Sequence, residues 1–92
     1  MQREGEVLRV EGPVTLDTVP GLLEEGAAHL TAGVRRIDLK GVTDVDSSAV
    51  ALALEWQRRS VPHVLSFDNA PEALRNLAQL YGVSGLLQIG AL

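Results

Sequence analysis

Between residues 35 and 60 the hydrophobic period of this chain changes within a few positions. In "RRIDLKGV" charged and apolar residues alternate, so Ile37 and Leu39 share one face, as in a strand buried on one side. After Gly41 and the polar run "TDVDSS", small and apolar residues recur at helical spacing from about Ser47 to Ser60, and Pro62 closes the helix. A strand that runs into a helix is half of a parallel crossover, because parallel neighbours cannot be joined by a tight turn. This junction therefore commits the chain to an α/β sheet rather than to a sandwich or a bundle.

The flanking segments fit the same scheme. "EVLRVEG" predicts a short strand ended by Gly12–Pro13, with "PVTL" as a hairpin return strand. Asp17 or Thr18 caps the next helix, and Pro20 occupies its first turn, where a missing N–H does no harm. Val19, Leu22, Leu23, Ala27 and Leu30 form its apolar stripe, and Gly33 stops it. Gly41 is expected to break the central strand. "HVLSF" predicts another strand. "DNAPEALRNLAQLYG" predicts a helix capped by Asp68 or Asn69, with Leu74, Leu77, Ala78 and Tyr81 on its buried face and Gly82 at its end. The apolar tail "VSGLLQIGAL" adds a last strand or a short turn of helix. The order β-β-α-β-α-β-α, with a possible terminal strand, implies a small mixed sheet with helices packed against it, in a single domain over residues 1–92.

Composition excludes several classes. With no cysteine there is no disulfide framework and no thiolate metal site, and the two histidines, His29 and His63, lie far apart. No metal and no cofactor is expected. The net charge is −4 and no basic run exceeds a pair, which disfavours nucleic acid. No apolar stretch approaches the roughly 20 residues of a membrane span, so no direct membrane insertion is expected and the chain should be cytoplasmic. No glycine-rich phosphate loop is present. A hydrolase using Ser47 or Ser48 would need a base such as His63 beside it, and no full set of nucleophile, base and orienting group is legible.

Residues 43–51, "TDVDSSAVA", are the candidate site. Asp46 or Ser47 can cap the helix by accepting from the free N–H groups of its first turn. Projected at 3.6 residues per turn, Val50, Ala53 and Gln57 fall on one side, and Ser48, Ala51, Glu55 and Arg58 on the other. Leu52 and Trp56 border one flank, Ser47 and Leu54 the opposite one. The outward face is thus small and hardly charged near its start, which suits either tight packing or the close approach of a partner.

"RRIDLKGVTDVDSSAVALAL" resembles the central signature of STAS domains, the modules of sulfate transporters and anti-sigma factor antagonists. In that family a strand ending in Asp-Leu leads through a turn and an Asp-Ser/Thr pair into a helix, and the resemblance in element order covers nearly the whole chain. "LRNLAQLYGVSGLL" is similar to the family's last helix, and "LAQLYGV" is most similar to the STAS subunits of Mla-type phospholipid ABC transporters. The resemblance implies a STAS-type α/β fold and a non-enzymatic function. The implied partner is the transporter's ATPase subunit, and through it a membrane permease, at the inner membrane. Binding would stabilise or regulate the ATPase and so serve outer-membrane lipid asymmetry. The alternative it implies is an anti-sigma factor antagonist controlled by phosphorylation of Ser47. Ser47 matches the family's phosphorylatable or partner-facing hydroxyl, Asp46 its acidic neighbour, and Asp17 an acidic residue after the second strand. The expected partner-binding set is Asp46, Ser47, Ser48, Ala51, Leu54 and Glu55. The sequence departs from the family pattern at Ala49, where many members have Gly, and at Pro13.

Overall fold

The computed structural model describes residues 1–89, apart from the side chain of Gln88. Its elements are β1 (Gln2–Glu4), β2 (Val7–Val14), α1 (Val19–Thr31), β3 (Arg36–Val45), α2 (Ser47–Ser60), β4 (Ser66–Asp68), α3 (Glu72–Leu80) and β5 (Gln88–Ile89). Among the described residues the strands form one five-stranded sheet in sequence order. β1 is antiparallel to β2, and every later pair is parallel.

This order decides where the helices go. The crossovers β2–α1–β3, β3–α2–β4 and β4–α3–β5 all step the same way across the sheet. Parallel crossovers are right-handed, so each puts its helix on the same face. That face carries Leu8, Val10, Val14, Ile37, Leu39 and Phe67, which meet Leu30 of α1, Leu52 and Trp56 of α2 and Leu74 of α3 in one core. The other face is a charge ladder. Arg36 pairs with Asp68 at 2.8 Å, and Asn69 donates to Asp38 at 3.1 Å. The central strand therefore alternates between core and charge, as "RRIDL" requires.

Several boundaries differ from the sequence expectation. The hairpin turn lies at Gly5–Glu6, one element earlier than predicted, and "EVLRVEG" and "PVTL" belong to the single strand β2. Gly12–Pro13 sits at an irregularity of register rather than at a strand end. β1 pairs only with Val7–Arg9, so the outer side of Pro13 faces no partner strand and its missing N–H costs no ladder bond there. Gly41 does not break β3 either. It lies opposite Glu11 beside a register shift, where a Cβ would come 2.9 Å from the Glu11 Cγ. A side chain at position 41 would therefore crowd the stem of the Glu11 side chain across the strand pair.

The caps of α1 and α3 are also corrected. Thr18 is the N-cap of α1, but its hydroxyl accepts from Thr15 N at 2.9 Å rather than from the helix. Pro71 occupies the N-cap of α3. Asp68 is held by Arg36 and Ser66, and Asn69 by Asp38, so neither caps it. Leu74 and Ala78 are buried as expected and Leu77 is half-buried, but Tyr81 lies just past the helix end and is 54% exposed. The predicted strand "HVLSF" is shorter than expected, at Ser66–Asp68. The tail forms the short strand β5, and residues 90–92 lie outside the described residues.

Candidate docking site at the start of helix α2

In a parallel sheet the strand C-termini and the helix N-termini gather at one end. Here that end brings together the β2–α1 loop, the β3–α2 junction and the β4–α3 turn. The strand order never reverses, so the fold has no switch-point crevice of the kind that holds nucleotides in doubly wound sheets.

Asp46 organises this end. Its backbone is extended, at φ −134° and ψ −171°, and its Oδ1 accepts from Ser48 N–H at 2.8 Å, which is the capping bond of α2. Its Oδ2 accepts from Leu16 N–H at 3.0 Å, thirty residues upstream. One carboxylate thus fastens the β2–α1 loop to the start of α2. The bond from Leu16, and then that from Ser48, hold the Asp46 carboxyl below its ordinary pKa. The loop is further knotted by Thr18, whose hydroxyl also donates to Pro13 O at 2.9 Å, while Val19 N donates to Thr15 O at 2.9 Å.

The six expected site residues divide into two groups. Asp46 is half-buried as the cap, Ser47 and Ala51 are exposed, and Ser48 is half-buried. Ala51 stands one turn along from Ser47 and Ser48, so these four share the end of the helix. Because the cap is Asp46, the Ser47 hydroxyl is left outside the capping bond. Leu54 instead packs against the core. Glu55 is engaged sideways: Arg58 Nε reaches it at 2.9 Å and Arg59 Nε at 2.8 Å, and Arg59 also reaches Glu24 of α1 at 3.4 Å. The bonds from Arg58 and then Arg59 pull the Glu55 pKa down to about 2.

Sequence reasoning missed Leu16. Its side chain is 73% exposed beside exposed Asp17, at the tip of the loop that Asp46 fastens. The available signal was a lone leucine in the polar turn "VTLDT". The arrangement also places His63 away from the serines. His63 N donates to Ser60 O at the C-terminal end of α2, and a 14-residue helix spans about 20 Å. Among the described residues no three His, Asp or Glu side chains gather as a metal site requires, and no helix is long and apolar enough to cross a membrane.

The site is thus one end of a one-sided α/β sheet, with an exposed serine and an exposed alanine, Ser47 and Ala51, at the start of α2. The family model described as "Mlab, STAS domain" matches residues 1–88, and the chain belongs to the STAS-domain family. Among solved structures the fold is similar to the anti-sigma factor antagonist SpoIIAA in its unphosphorylated form. The TM-score is 0.67 at 19% identity, over 100% of this chain and 86% of that one. It is likewise similar to the Bacillus cell fate determinant SpoIIAA in its phosphorylated form, with a TM-score of 0.66 at 19% identity, over 99% of this chain and 88% of that one. At this identity the likeness shows the fold. Among curated proteins none matches the chain significantly.

Proposed function

We propose that this chain is a non-enzymatic STAS subunit that docks onto the ATPase of a phospholipid-transporting ABC system, through the end of α2 that carries Asp46, Ser47, Ser48 and Ala51. The observation that carries the reading is the match of the MlaB-type family model to residues 1–88. The exposed, uncharged pair Ser47 and Ala51 supports the choice of surface, since small side chains let a partner backbone come close. On this reading the chain sits at the cytoplasmic face of the inner membrane through its partner. It steadies or regulates the ATPase and so serves the lipid traffic behind outer-membrane asymmetry. The test is co-expression of the tagged chain with the Mla-type ATPase of the same organism. Co-elution and a higher yield of soluble ATPase are expected. An ATPase that elutes alone, at unchanged yield, would sink the reading.

A second reading has its own observation. The fold is shared with SpoIIAA, which has a phosphorylated form, and Ser47 presents an exposed hydroxyl at the start of α2. An anti-sigma factor antagonist would be phosphorylated there and release its partner. Incubation with an anti-sigma kinase and ATP, followed by peptide mass spectrometry, separates the two: phosphate on Ser47 favours this reading.

A further inference from the structure

Six large apolar side chains are more than half exposed among the described residues: Leu16, Val61, Val64, Leu80, Tyr81 and Leu86. Four of them lie in the α2–β4 and α3–β5 connections and Leu80 is the last residue of α3, all at the end of the sheet where the parallel strands begin. Leu16 alone stands at the opposite end, beside the start of α2. Its surroundings are also different in kind. It is carried on a loop closed by the Thr15–Thr18 and Thr18–Pro13 bonds and fastened across the fold by Asp46. Exposed apolar side chains on rigid supports are what protein interfaces use as anchors, because little conformational entropy is lost when they dock.

We infer that Leu16 is the apolar anchor of the docking surface, held in place by Asp46, and that it fits a partner pocket lined by apolar side chains and rimmed by Lys or Arg. The inference rests on the proposed docking reading and adds the chemistry of the partner surface. The rim follows from charge. The segments that meet here, residues 12–18 and 43–54, contain Asp17, Asp44 and Asp46 and no Lys or Arg. Asp17 and Asp44 are exposed. A neutral or acidic rim would leave these carboxylates desolvated without compensation, whereas a basic one complements them and speeds encounter. Asp46 is a positioning residue in this scheme. It fixes Leu16 through its backbone N–H and need not touch the partner.

The experiment measures the affinity of purified variants for the co-purifying ATPase, with thermal unfolding as a control on folding. Leu16→Ala removes an exposed side chain, so its unfolding midpoint should match that of the parent chain. Its Kd should rise about thirtyfold, the size of a hot-spot truncation, and Leu16→Met should restore most of the affinity. Asp46→Ser keeps a capping oxygen but cannot reach both loop and helix. It should weaken binding and speed hydrogen exchange at the Leu16 amide. Binding by the parent chain should weaken as salt is raised. Leu16→Ala binding like the parent overturns the anchor, while loss of binding in Ala51→Glu would leave the docking reading standing. Unchanged affinity in Asp46→Ser overturns the positioning role, and binding indifferent to salt overturns the basic rim.

Discussion

The indole of Trp56 occupies the space that a side chain at Gly26 would need. A Cβ at position 26 would lie 2.5 Å from Trp56 Cε2 and 2.8 Å from its Nε1. The glycine sits inside α1, where it costs helix stability, and in return α2 comes close enough for Trp56 to be buried, at 1% exposure. The indole N–H donates to Leu23 O at 3.2 Å, so the ring's one polar atom is also satisfied against α1.

Gly26→Ala tests this contact because two effects oppose each other. Helix propensity alone favours alanine by about 1 kcal/mol. Overpacking against a buried ring costs about 1–3 kcal/mol. The ring is locked in the core and cannot swing aside, so the net change should be destabilising. The Tm should fall, by about 4–8 °C for each kcal/mol lost in a domain of this size. A rise in Tm would mean that α1 and α2 are farther apart than described.

The third helix gives a second comparison. Leu74 is 3% exposed and lines the core with Phe67 and Trp56, whereas Leu77 is half-buried at its margin. Leu74→Ala should cost about 2–5 kcal/mol, a large share of the stability of a small domain. Leu77→Ala should cost clearly less. Urea unfolding of the two variants checks the order, and a larger loss at Leu77 would show α3 to be rotated.

How far the sequence shows all this depends on how local each cause is. α2 was legible to its ends, Ser47 and Ser60, because apolar period, cap and following proline agree. β1 was not, since its three residues are all exposed and carry no period. In the sequence Gly12, Pro13 and Gly41 read as breakers, because a register shift exists only once β2 and β3 are paired. Tyr81 continues the period of α3, but the helix stops at Leu80 and leaves it outside. At the site, a cap at Asp46 or Ser47 was readable from adjacent residues, but not which of the two makes the bond; it is Asp46, and the expectation of Ser47 as a cap is not met. The second bond of Asp46, to Leu16, spans thirty positions and follows only from the fold.

The Glu55 network predicts a pH dependence. Its carboxyl is held by Arg58 first and Arg59 second, and titrates at about 2 instead of the ordinary 4.5. Its folded-state pKa is lowered, so its contribution to stability is full above the unfolded value. It is lost as the pH falls from about 4.5 towards about 2, because the unfolded chain takes up the proton first. Glu55→Gln should therefore flatten part of the acid-side fall in Tm. Carboxyl NMR should place the Glu55 midpoint near 2. Because the pairs are partly exposed, added salt should move that midpoint up. A midpoint at the ordinary value would show that the two arginines do not hold this carboxylate in solution.

The start of α2 predicts that folding and binding separate. Asp46, not Ser47, makes the capping bond, so Ser47→Thr should leave both unfolding and affinity near those of the parent chain. Ser47→Asp puts a second carboxylate beside Asp46, at a helix N-terminus that tolerates negative charge, so the variant should stay folded. On the proposed surface its carboxylate lies inside the small-residue contact, where the partner backbone comes close, rather than at the basic rim beside Asp17 and Asp44. Placing it there desolvates it away from the rim cations. Ala51→Glu acts through bulk instead, one turn further along on an exposed position where its folding cost is small. Both variants should keep a Tm within a few degrees of the parent and bind the ATPase much more weakly. Thermal unfolding and an affinity measurement on the same preparations check this. If both fold and bind as the parent does, the docking surface lies elsewhere, and the acid-serine junction serves only to start a helix and fasten a loop.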